Sequence, residues 1–232
     1  MNNNKNKLSL TTGVSLAFGN LIRRLDDGIK NEVVSEGMNW EVFIRTRLDE
    51  ICDKRGKVQK IEAFREGKVL MKTIGNSGFI GLQDVVLKCM NTVETSQHDT
   101  YDLRVYAVQA FRNMKCAEIS ISTWNALWAV LQDEDEDSEI RIEAYRQYMN
   151  CPSMSRISKI VELLEADSGI YSLQVGSYIM SDLKNVAEKK RTAHFSPFLQ
   201  KIIASNNPKL HTADYLNGSL ILEKFFLLCM DV

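Results

Sequence analysis

Leu103-Arg-Val-Tyr-Ala-Val-Gln-Ala-Phe-Arg112 has an echo 37 residues further on: Arg104-Val105, Ala107 and Phe111 correspond to Arg141-Ile142, Ala144 and Tyr148. Within the first copy, Leu103, Ala107, Ala110, Phe111 and Met114 recur at three and four residues. That spacing puts them on one stripe of a helix, wide enough to be buried against a neighbour. Trp124, Leu127, Trp128 and Leu131 form a second stripe between the two copies, so the repeating unit is a helix, a turn and a helix. The same offset backward sets Ile74 and Asn76 against Phe111 and Asn113, and a shift of 33 forward sets Val175 and Ser177 against Ile142 and Ala144. Four units are then visible. A helix pair cannot bury its apolar face alone and needs neighbours on both sides, which is why a period of this size marks stacked helical repeats. The reading predicts an all-α fold, an α-solenoid of stacked antiparallel helix pairs forming a superhelical horseshoe segment.

Working outward, Leu82, Val85, Val86 and Cys89 make one more stripe, as do Ile157, Ile160, Val161 and Leu164. Helix starts are expected at Asp99-Thr100, Ser122-Thr123, Asp137-Ser138 and Ser196-Pro197, where side-chain oxygens can meet the unpaired N–H groups of a first turn. Gly75-Asn-Ser-Gly78 and Asp167-Ser-Gly169 read as helix ends, closed by glycine in the left-handed region. Leu8 to Leu25 and Glu41 to Cys52 fit further helices. The three prolines, Pro152, Pro197 and Pro208, all stand at expected helix boundaries. The repeat occupies about Lys57 to Lys190. It fades beyond, although helix propensity returns at Pro197 to Ser205 and Ser219 to Met230. The chain reads as one helical-repeat domain over residues 1–232, with 191–232 outside the recognisable pattern.

Composition narrows the function. Hydrophobic residues at 44% and charged residues at 25% are ordinary for a packed domain. With 29 Lys and Arg against 30 Asp and Glu, no global field draws the chain to nucleic acid. The apolar stretch Leu220-Ile-Leu222 and Phe225 to Met230 is interrupted by Glu223-Lys224 and is far shorter than the ~20 residues that span a bilayer. No transmembrane segment is expected. Met1 to Lys7 is polar, and Leu8 to Leu25 carries no signal-peptide cleavage pattern. The five cysteines, at 52, 89, 116, 151 and 229, lack the C-x-x-C and histidine spacings of a zinc site. His98, His194 and His211 are scattered, and G-x-S-x-G and H-E-x-x-H are absent. Neither catalytic residues, nor a metal site, nor a cofactor is expected.

Several strings, in order, resemble one family: Leu16-Ala-Phe-Gly-Asn-Leu21, Lys72-Thr-Ile-Gly-Asn-Ser-Gly78, Leu103 to Arg112, Glu136-Asp-Ser-Glu-Ile-Arg-Ile-Glu-Ala-Tyr145 and Gln174-Val-Gly-Ser-Tyr178. They look like the helical domain of the large lipid transfer proteins, a group that includes vitellogenins, apolipophorins, apolipoprotein B and the microsomal triglyceride transfer protein. The insect apolipophorins are the most similar, and the likeness runs over about residues 16–190. In that family the helical domain is a two-layered horseshoe bracing β-sheets that enclose lipid. Since this chain shows no barrel and no sheets, the resemblance implies the brace without the cavity, as in a fragment or shortened relative. It also implies an extracellular protein and a disulfide between Cys116 and Cys151. Those two follow equivalent helices 35 residues apart; the alternative is two buried thiols in a reducing compartment. Cys52, Cys89 and Cys229 are read as core or unpaired.

The acidic run Asp133 to Asp137 lacks the spacing of a calcium loop and reads as a solvated turn before a helix. Trp124, Trp128, Tyr106, Phe111 and Tyr148 read as core on the packing stripes. Phe225, Phe226, Leu227 and Leu228 are the candidate contact with lipid or a partner, since they follow the repeat as an unpartnered apolar cluster. Asn217-Gly218-Ser219 fits a glycosylation acceptor. Two functions follow: a lipid-transport scaffold whose lipid is held through missing or partner β-sheets, or a helical-repeat module that binds a protein without carrying lipid.

Overall fold

A computed structural model describes residues 2–25, 40–52, 61–91, 98–165 and 173–188. The regular elements among the described residues are all helices, and these residues contain no strand. In chain order the α-helices are α1 (Asn2–Arg24), α2 (Trp40–Cys52), α3 (Ile61–Ser77), α4 (Gln83–Met90), α5 (His98–Gln109), α6 (Ile121–Gln132), α7 (Ser138–Met149), α8 (Met154–Glu165) and α9 (Leu173–Glu188). A 3-10 turn, Ile80–Leu82, leads into α4.

The odd-numbered helices pack on one another in the order α1, α3, α5, α7, α9, while α2, α4 and α6 pack in sequence against them as a second layer. Helices within a layer run parallel. Arg45 of α2 meets Asp84 of α4, and Asp49 meets Lys88 one turn further along both. Trp124 and Trp128 of α6 likewise meet Arg156 and Lys159 of α8. The apolar stripes fill the space between layers. Leu103, Ala107, Ala110, Phe111, Leu127, Leu131, Ile140, Ala144, Ile157 and Ile160 are all essentially inaccessible and belong to one continuous core. Each buried Leu, Ile or Phe contributes roughly 1.5–3 kcal/mol, so apolar burial supplies the bulk of the stabilisation.

Polar groups set how one unit sits on the next. Arg104 Nε donates to the carbonyl of Met90, which ends α4. One period later, Arg141 Nε donates to the carbonyl of Leu131, near the end of α6, at 3.1 Å. The repeated arginine therefore caps the C-terminus of the helix before it, where unpaired carbonyls and the negative dipole end favour a cation. The repeated asparagine works across units. Asn113 Nδ2 donates to the Gly75 carbonyl at 2.6 Å, and Asn150 Nδ2 donates to the Arg112 carbonyl at 2.7 Å. In the last described seam, the Tyr145 hydroxyl donates to Asp182 at 2.9 Å; burial, then that carboxylate, holds the phenol well above its usual range.

Gly75 and Gly78 are fixed by the same seam. Gly78 ends α3 at φ +62°, and its N–H closes on the Ile74 carbonyl at 3.0 Å. Gly75 lies inside α3, where helix propensity disfavours it. Its missing side chain leaves room for Arg112, whose guanidinium donates to the carbonyls of Gln109 and Lys72 and to Asn76 Oδ1.

Three expected helix limits shift. Helix α6 starts at Ile121 rather than near Trp124, because Ser120 is the N-cap and its Oγ accepts from the Thr123 N–H. Helix α5 starts at His98, ahead of the expected Asp99-Thr100 cap. Its α-helical part ends at Gln109, and Ala110, Phe111 and Arg112 continue in tighter turns bonded three residues back. Asp137 caps α7 as expected. The expected caps at Ser196-Pro197 and at Asp167-Ser-Gly169 lie outside the described residues.

A methyl group on Gly75 would collide with the Arg112 guanidinium. Gly75→Ala is therefore expected to destabilise the chain by about 2 kcal/mol in urea denaturation. In an Arg112→Ala background the same change is expected to be neutral or stabilising by up to ~1 kcal/mol, since alanine is the better helix former. Equal costs in both backgrounds would mean that the arginine does not occupy that space.

Candidate functional site

Turns from the first layer to the second gather along one edge of the stack. The turn between α5 and α6 brings Cys116 to that edge, and the turn between α7 and α8 brings Cys151. The structure joins the two sulfurs, with Cα atoms 5.6 Å apart. Cys116 is exposed, whereas Cys151 is buried at 4%. The Cys151 carbonyl accepts from Arg156 Nη1. Arg156 in turn lies 3.8 Å from the Trp124 ring centroid and 5.7 Å from that of Tyr148. Tyr148 packs edge-on to Trp124 at 6.0 Å and tilted against Trp128 at 5.4 Å. Ile121 and Met154, which open α6 and α8, stand exposed beside this cluster at 79% and 44%.

All five aromatic residues expected in the core pack on it, but not equally deep. Phe111 and Tyr148 are buried, and Trp124, Trp128 and Tyr106 are half-buried with one face against the core. Tyr106 also carries Lys72 over its ring at 4.3 Å. The acidic run is a turn with structural work to do. Glu136 pairs with Arg104, Asp137 caps α7, and the Tyr101 hydroxyl donates to Asp137 and Glu139 at 2.9 and 2.6 Å. Burial and those two acceptors raise the Tyr101 phenol above its usual range. Among the described residues no group of three or more His, Cys, Asp or Glu is placed to hold a metal ion, and no helix is long and apolar enough to cross a membrane. Phe225, Phe226, Leu227, Leu228, Asn217 and Cys229 lie outside the described residues.

One reading of the cysteines is corrected. Cys52 and Cys89, expected as core or unpaired, are joined to each other, with Cα atoms 5.0 Å apart and both side chains fully buried. Cys52 ends α2 and Cys89 lies in the last turn of α4, on the edge opposite the first bridge. Their separation of 37 residues equals the repeat offset. Cys52 precedes Lys57, where the visible repeat begins, so the pattern of stripes does not pair it with Cys89.

A two-layered stack of antiparallel helix pairs, tied pair to pair by side-chain hydrogen bonds and bridges, defines a helical-repeat protein. The Vitellogenin TPR domain matches residues 1–184. The chain belongs to that family, the helical portion of the large lipid transfer proteins. It is similar to the apolipophorins of Drosophila melanogaster, at 31% identity over 121 residues, covering 51% of this chain and 3% of that protein. The apolipophorins of Locusta migratoria are 36% identical over 84 residues, covering 36% of this chain and 2% of theirs. The matched region is thus only a small part of the length of these relatives. No solved structure matches the chain.

The buried bridge closes a long loop, so its loss acts mainly by freeing the unfolded chain. Replacing Cys52 and Cys89 together by alanine is expected to lower stability by roughly 2–4 kcal/mol in urea denaturation under non-reducing conditions. A cost below about 0.5 kcal/mol would show that the two units are held without it.

Proposed function

We infer that this chain is a lipid-transport scaffold. Its helices brace β-sheets that hold lipid, and the sheets are contributed by another part of the protein or by a partner. The observation that carries this reading is the family match across residues 1–184, supported by the likeness to apolipophorins. The described stack fits a brace. Its polar side chains are spent on fixing one helix pair to the next, as with Asn113, Asn150 and Arg112, and catalysis has no part in the proposal.

The whole chain, 1–232, then acts as one domain in an extracellular setting, where bridges such as Cys52–Cys89 and Cys116–Cys151 persist. Curvature into a horseshoe follows from the small rotation between successive units. The apolar cluster Phe225-Phe226-Leu227-Leu228 is the proposed contact with the lipid-bearing partner, and Asn217 the proposed glycosylation acceptor.

Flotation of the secreted chain from its native medium through a density gradient, with lipid extraction from each fraction, tests the proposal. The chain should float with a lipid-bearing fraction and carry no stoichiometric lipid once purified from it. Phe225→Asp combined with Phe226→Asp should reduce flotation while leaving the helical circular dichroism unchanged. Recovery only in lipid-free fractions, bound to a soluble protein, would replace the scaffold with a protein-interaction module. Stoichiometric lipid on the purified chain would make the helices themselves the lipid site.

A further inference from the structure

The two bridges sit in opposite surroundings. Cys52 and Cys89 are both inaccessible, so a thiol in solution cannot reach either sulfur without opening the core. Cys116 lies in an exposed turn, flanked by exposed Lys115, Ala117 and Glu118. Its partner Cys151 is buried, and the Arg156 guanidinium is hydrogen-bonded to the Cys151 backbone and held in place on the Trp124 ring. Cys151 also stands three residues ahead of α8, close to the positive end of that helix. Thiol–disulfide exchange needs an attackable sulfur and a leaving sulfur stabilised as thiolate, and a neighbouring cation or helix N-terminus provides the second.

We propose that the Cys116–Cys151 bridge is a site of reversible thiol exchange: an external thiolate attacks the exposed Cys116, and Cys151 leaves as a thiolate beside Arg156. In the step, the incoming sulfur forms a new S–S bond to Cys116 Sγ while the Cys116–Cys151 bond breaks. The electron pair of that bond stays on Cys151, which takes a proton from solvent or remains ionised. The product is a mixed disulfide on Cys116 and a free thiol at Cys151, with no net oxidation. Attack by the Cys151 thiolate on Cys116 reverses it. Opening the bridge breaks neither the bond from the Asn150 amide to the Arg112 carbonyl across the same seam nor the continuous apolar core. The site depends on the bridge and on Arg156 beside it, and goes beyond the scaffold reading; it holds whether or not the chain braces lipid-bearing sheets.

The test treats the full chain with reduced glutathione under native conditions, alkylates at timed intervals and maps each cysteine by peptide mass spectrometry. Expected is a glutathione adduct on Cys116 and alkylation of Cys151, while Cys52 and Cys89 remain joined. Arg156→Met should slow the opening about threefold or more, and Arg156→Lys should restore part of the rate, with the buried bridge unaffected in both. Adducts on Cys151, equal opening rates for the two bridges, or alkylation of Cys116 and Cys151 before any thiol is added would each overturn the proposal. So would an unchanged rate in a folded Arg156→Met chain. Should that variant fail to fold, the position of the adduct in the unmodified chain still decides the matter.

Discussion

Asn113 reaches back to the carbonyl of Gly75, and Asn150 reaches back to the carbonyl of Arg112, each ending one helix of a layer on the end of the helix a unit earlier. A hydrogen bond of this kind is worth only about 1 kcal/mol net, well below the burial of a single leucine. Its importance lies in direction. Apolar contact between helices is indifferent to small slides along the axis, whereas an amide aimed at one particular carbonyl is not. The rungs therefore fix register, and the remaining contacts presuppose it. The cross-layer caps at Met90 and Leu131, the Arg112 seat on Gly75 and both bridges fall into place only when successive units are aligned end to end.

The division of labour also explains which residues repeat. Arg104 and Arg141 recur because a C-terminal cap is needed at the end of α4 and again at the end of α6. Ala107 and Ala144 recur at fully buried positions on the core-facing stripe. Ion pairs such as Lys68–Asp102 at 2.8 Å, between α3 and α5, and Lys88–Asp49 at 2.7 Å, between α2 and α4, also join successive units but lie partly exposed. Such pairs add little stability and chiefly disfavour misalignment.

Much of this was legible in the residues. The stripes located the helices, and the 37-residue echo disclosed the unit. The alignment of Asn76 with Asn113 already touched the seam, though not what the asparagine does. Partners of a side chain follow from three-dimensional neighbours, and a repeat offset supplies those only after the helices have been assigned to layers. Cys52 escapes a sequence reading for that reason, since its unit begins before the visible repeat. Helix limits moved where capping chemistry offered rival residues: Ser120, Ser122 and Thr123 can all cap, and only the Ser120 side chain meets the Thr123 N–H. Family membership was readable through ordered family-like strings, not through any reactive group.

Mapping the disulfides of the unreduced chain by protease digestion and mass spectrometry tests the register most directly, since a covalent bond reports which residues are neighbours. The account predicts peptides joining Cys52 to Cys89 and Cys116 to Cys151, each one repeat apart. Bridges joining Cys52 or Cys89 to Cys116 or Cys151 would contradict the end-to-end alignment of units and the stack built upon it.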